Sequence, residues 1–215
     1  MPSDRRLRRF VRQWRRRYPN PVPWVDDRAN KACRRSEREW LARFEGLETL
    51  RRREVYALAL WRLGGSAERM ERAVEGITGP AEWGHARRSI KRALAATSPM
   101  TALEHLTGEQ GIPGWGPVMA STVLAACRPA VFAVGDERTL RTLAALGLVD
   151  PTDPDEFGHA EWWPYLRASR HLSEVSGVPL RGVWQALWAA ADDAPGLPGP
   201  VGRPVSRPPS PSPAG

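Results

Sequence analysis

Cysteine is scarce in this sequence: Cys33 and Cys127 stand far apart and no Cys-x-x-Cys pair occurs. Two thiols cannot by themselves supply a four-thiolate zinc or iron–sulfur site, which leaves two free thiols in a reducing cytoplasm. Histidine is sparse too. His85, His105, His159 and His171 fall at no metal-ligand spacing, so no transition metal is expected. Lysine is almost missing, with only Lys31 and Lys91, and the net charge of +8 is carried by arginine. No apolar run reaches the roughly 20 residues of a membrane-spanning helix, and the N-terminal arginines lack the apolar stretch of a secretory signal. The expectation is a cytoplasmic protein. No convincing strand pattern appears either, which points to an all-α chain.

What is present suffices for a core. Hydrophobic residues make up 41% of 215 positions, and ten are tryptophan, enough apolar material for one folding unit. A pI near 10.6 makes polyanions the natural partners. Composition does not choose between nucleic acid and an anionic membrane surface, and G+C-rich coding also enriches arginine.

Within segment 1–18, residues 4–17 carry Leu7, Phe10, Val11 and Trp14 at helical spacing, with eight arginines over the remaining surface. This reads as a basic amphipathic helix. Its three roles, in decreasing order of weight, are a solvated helix packed by its apolar stripe, a phosphate-gripping arm, and an interfacial anchor. The prolines of 18–23 interrupt it. Helical periodicity returns over about 30–44, 48–63, 67–77 and 80–96, with Gly46, Gly64-Gly65 and Gly79 between. Ser98-Pro99 opens a short helix to about Thr107, and further helices are expected over 117–126, 137–146, 159–176 and 180–191. Val131 to Val134 reads as a buried loop. The Pro, Gly and Ser of 194–215 predict a disordered tail.

The chemistry concentrates around Gly114-Trp115-Gly116. The run from Ile112 to Leu124 fits apolar-x-Gly-apolar-Gly-x-x-x-Ala-x-x-apolar-apolar, a helix-hairpin-helix pattern with every defined slot filled. Two glycines give the turn its special backbone angles and let amides approach a phosphate at a helix N-terminus. Ala120 is small where two helices must pack closely. Trp115 either plugs the hairpin into the core or stacks on nucleic acid, and the motif's demand for an apolar residue favours the plug. Further on, Gly135-Asp136-Glu137 places a carboxylate at a helix start, where capping is its commonest role. Glu137 and Arg138 could line the same cleft as Asp136, but read rather as an exposed first-turn acid and a local ion pair. Trp162-Trp163-x-Tyr165 and Trp184-x-x-x-Trp188 read as core packing, although one such aromatic could stack on an extruded base.

Hairpin, short loop and aspartate in that order resemble the HhH-GPD superfamily of DNA glycosylases, the 8-oxoguanine and endonuclease III-like fold. The resemblance is best over 103–143 and absent from the basic helix and the tail. It implies a helical domain over 24–193 with its hairpin at 102–127, and duplex DNA as the partner of a nucleoid-associated monomer that uses no membrane. Gly114, Trp115, Gly116, Val118 and Arg141 are then the DNA-binding positions and Asp136 the catalytic one. A carboxylate there stabilises positive charge on the sugar and orients or deprotonates water. Val118 stands where bifunctional members carry the lysine that attacks the sugar. Valine forms no imine, so the activity implied is monofunctional hydrolysis without lyase chemistry. The resemblance further implies that a monovalent cation can sit among the hairpin carbonyls; no other cofactor is expected. The alternative is a catalytically silent DNA-binding or damage-sensing relative.

Overall fold

The computed structural model describes residues 2–18, 37–151, 153 and 156–191. They form an all-α structure, with no strand among the described residues. The helices are α1 (Asp4–Arg17), α2 (Arg52–Leu63), α3 (Ala67–Thr78), α4 (Pro80–Ala95), α5 (Pro99–Thr107), α6 (Pro117–Cys127), α7 (Glu137–Ala145), α8 (His159–Ser176) and α9 (Leu180–Ala190). A further helical stretch covers 37–42. The expected linker after Tyr18 and the expected tail lie outside the described residues, as does the first part of the helix expected over 30–44.

Local chemistry sets these boundaries. Pro80, Pro99 and Pro117 each open a helix, where the missing N–H costs nothing. Ser66 and Ser98 accept a first-turn amide from Arg69 and Thr101. Helix α8 stops at Gly177, whose φ of 66° is the left-handed conformation that glycine tolerates best. α2 starts four residues later than the periodicity suggested. The reason is Glu54, whose carboxylate reaches back to the Arg51 amide at 2.6 Å and fixes the first turn there.

One hydrophobic cluster runs through the molecule. Its axis is α6, in which every residue from Met119 to Cys127 is buried, with α2, α4 and α5 against it. α1 is not a separate appendage. It packs on α8 and α9, and Leu7 and Val11 enter the common core at 1% and 0% exposure. The loop Phe132 to Val134 is buried, as its sequence suggested. Phe132 stacks on Trp162, and Tyr165 donates its hydroxyl to Val134 O. Trp162 and Trp163 do not share the core: neighbours on a helix point about 100° apart, so Trp162 is fully buried while Trp163 is 37% exposed.

Candidate nucleic-acid interface and acidic site

Between α5 and α6 the chain turns through a tight corner. Gly111 N–H donates to Gly108 O (2.7 Å), Ile112 N–H to Leu106 O (2.9 Å) and Trp115 N–H to Ile112 O (3.0 Å). Gly114 has φ of 77°, and a Cβ there would lie 2.0 Å from Arg72 O. Conformation and space therefore both demand glycine. The inner side of the corner rests on α3. Trp115 is 5% exposed and its indole N–H donates to Ala73 O at 2.9 Å, while a Cβ on Gly76 would meet Pro113 O at 2.3 Å.

The outer side faces solvent. Pro113, Gly114 and Gly116 are exposed, and nothing lies within 4 Å of where a Gly116 Cβ would stand. Among the described residues the Gly116 N–H has no hydrogen-bond partner. Gly116 is the N-cap of α6 and brings no side chain to cap it, so the first-turn amides of Val118 and Met119 are open as well. Val118 is half-buried against the core, and its carbonyl accepts from Ser121 Oγ (3.0 Å) and Thr122 Oγ1 (2.8 Å). Arg141 lies half-buried on α7.

Ser121 joins the corner to the acidic loop. The Gly135 amide donates to Ser121 Oγ at 3.1 Å, and the next residue is Asp136. Asp136 is only 3% exposed and both carboxylate oxygens are occupied. Oδ1 accepts from Thr139 N–H (2.7 Å) and Thr139 Oγ1–H (2.9 Å), which makes Asp136 the N-cap of α7. Oδ2 is held by the Arg62 guanidinium of α2. Glu137, in the first turn of α7, pairs with Arg69 of α3 at 3.2 Å. Arg138 lies over the Trp188 ring, 3.8 Å from its centroid, and donates to Trp188 O. The ring face attracts that guanidinium as a cation–π partner.

Aromatics gather round this ion pair. Tyr18 packs between Trp184 and Trp188, with ring centroids 5.6 Å from each, and Trp61 touches both Trp184 (5.8 Å) and Trp40 (6.0 Å). Within this wall the Glu37 carboxylate oxygens, Arg62 Nε and Trp184 Nε1 are buried and have no hydrogen-bond partner among the described residues. Burial first, then the charges of Glu37 and Asp136 push the Tyr18 hydroxyl well above the usual phenol range, against Arg62 and Arg138. Sequence reasoning missed Glu37, Arg62 and Trp61. Each sits in an ordinary helical pattern, and Arg62 meets Asp136 across 74 residues, so no local signal announces them. A hollow of about 780 Å³ opens nearby between Arg15, Arg38, Glu45 and Arg181, with Tyr18 in its wall but not Asp136.

The Glu37 carboxyl is raised above its ordinary 4.5 by burial, opposed by the Arg181 charge and by the nearby polar edge of Trp61, which stands outside hydrogen-bond geometry. The native state therefore keeps a proton that the unfolded chain has released, and stability falls as pH climbs from 4.5 through the raised value. Glu37→Gln removes this dependence. Its melting temperature is expected to exceed the parent's at about pH 8 and to converge with it near pH 4. Thermal melts across that range check it, and a variant less stable than the parent at the alkaline end refutes it. Cys127 has no reactive role here, because burial pushes its thiol up to about 12. Among the described residues no three His, Cys, Asp or Glu side chains gather as a metal site, and no helix is long and apolar enough to cross a membrane.

No family model, curated protein or solved structure matches this chain.

Proposed function

We propose that the chain binds duplex DNA by docking the helix-hairpin-helix corner against the phosphate backbone. The observation that carries this reading is the corner's solvent face, where exposed Gly114 and Gly116 precede an α6 start with open amides. A phosphate placed there accepts main-chain N–H bonds and meets the positive end of an 11-residue helix. The reading needs no bound cation, since the open amides themselves meet the phosphate.

Gly116→Val tests the proposal cleanly. Gly116 has φ of −105° and ψ of 179° in magnitude, extended backbone that valine adopts freely, with open space around its Cβ. The fold should be unaffected while the side chain covers the α6 amides. Losing one charge-assisted contact, about 1.5–3 kcal/mol, should weaken duplex binding about 10- to 100-fold. Unchanged affinity in a titration of labelled duplex ends the proposal.

A second reading, monofunctional base excision, is favoured by the tether from α6 through Ser121 to the Asp136 loop, and by the aromatic wall with its unpartnered polar atoms. In that reaction the N-glycosidic bond breaks with its electron pair leaving on the base. A water oxygen bonds to the sugar carbon, and Asp136 stabilises the cationic sugar and takes the water's proton. Arg62 must first leave Oδ2. The silent DNA-binding reading needs no such movement, and the present geometry supports it better.

A further inference from the structure

We infer that α1 carries a second surface for a nucleic-acid backbone, a ladder formed by Arg5, Arg9, Arg12 and Arg16. This deepens the proposed DNA binding but stands on different residues. Successive helix positions turn by about 100°, so these four arginines share a stripe roughly 60° wide. The stripe lies opposite Leu7 and Val11, which are sunk in the core against α8 and α9.

All four guanidinium groups belong to exposed residues, and among the described residues none is in an ion pair. Asp4 is the helix's only acid, and it faces His171 at 4.0 Å. The helix is held rigidly. Arg8 Nε donates to Val175 O at 2.8 Å and Arg12 reaches Ser176 O at 3.4 Å, both on α8.

Two features decide the partner. The apolar stripe is consumed by the fold, so α1 has no face left to bury in a headgroup layer, which interfacial anchoring requires. What remains outward is a row of forked cations on an anchored helix, with Arg12 keeping one N–H on Ser176 O. From Arg5 to Arg16 the helix rises about 16 Å, a length over which one DNA strand presents about five phosphates. A regular row of like charges matches a phosphodiester chain better than the irregular charges of an acidic protein surface. Guanidinium forks also bind phosphate oxygens in pairs.

The test uses the full chain with Arg5, Arg9, Arg12 and Arg16 all replaced by glutamine, beside a charge-preserving set of four lysines. Duplex binding is measured across salt concentrations, with phosphatidylserine vesicles in a parallel arm. Each phosphate contact contributes about 0.9 to the slope of log K against log salt. The glutamine set should therefore flatten the slope by about 3 to 4, and the lysine set should retain it. Should the glutamine set fold poorly, Arg9→Gln with Arg16→Gln, which disturbs no backbone contact, should remove about half of that. An unchanged duplex slope overturns the ladder, and so does a loss seen only on vesicles. Gly116→Val separates the two surfaces. It weakens binding with the ladder's share of the slope intact if both readings hold, and leaves binding untouched if the corner alone is wrong.

Discussion

Asp136→Ala is expected to cost about 3–5 kcal/mol, because it leaves the Arg62 guanidinium buried without its counter-charge. It also strips the α7 cap made to Thr139, typically about 1 kcal/mol. For a chain of this size each kcal/mol moves the melting temperature by about 2–4 °C, so a fall of roughly 10 °C or more is the expected reading. Arg62 keeps 16% side-chain exposure, which places the loss toward the lower end. Asp136→Asn should lose less, since asparagine still caps. Pairing Asp136→Asn with Arg62→Met should recover most of the loss, because removing both charges leaves neither stranded. A double-mutant cycle followed by chemical denaturation measures the coupling. If Asp136→Ala melts within a degree or two of the parent, the buried pair is not what the geometry says.

The same substitution bears on chemistry. An aspartate whose work is capping and pairing yields an Asn variant that binds duplex DNA as the parent does, with no base release by either. An aspartate whose work is catalysis yields a parent that releases bases from duplexes carrying uracil, oxidised guanine or alkylated purines, and an Asn variant that binds without cleaving. Single-turnover assays with those three duplexes distinguish the outcomes.

The helices were legible because their signals are local. Ser98-Pro99 and Pro117 fix helix starts, Gly177 fixes a stop, and the 3.6-residue period lies in the sequence between them. The corner was legible for the same reason: Gly114 and Gly116 are two residues apart, and their demands arise within one turn. The surroundings of Asp136 were not. Its cap on Thr139, three residues on, follows from the sequence, but its partner Arg62 comes from another helix and carries no mark of its role. Likewise Glu37 looks like a solvated helix acid until packing encloses it. The basic helix shows the limit from the other side. Its amphipathic period predicted the helix, yet only tertiary contact shows that its apolar stripe is used inside the protein while its arginines stay at the surface.

Trp115→Ala should be the most damaging change at the corner. Its indole is buried between α3 and α6, and truncating a core tryptophan costs about 3–5 kcal/mol through lost apolar contact and the cavity left behind. The abandoned acceptor, Ala73 O, adds little, since it lies within α3 and a helical carbonyl there has a backbone donor. On the proposed DNA-binding reading such a variant would lose affinity merely because the corner no longer sits on α3, so alanine alone does not separate a plug from a base-stacking platform. Trp115→Leu does. Leucine fills part of the slot but offers no ring, so a plug role predicts partial loss of stability with duplex affinity close to the parent's. A stacking role predicts the reverse, near-parental stability with affinity reduced by the about 1–3 kcal/mol that an aromatic contributes per base. Melting curves and duplex titrations on the same preparation give both numbers. With 5% exposure and its N–H already committed to α3, Trp115 is expected to behave as the plug.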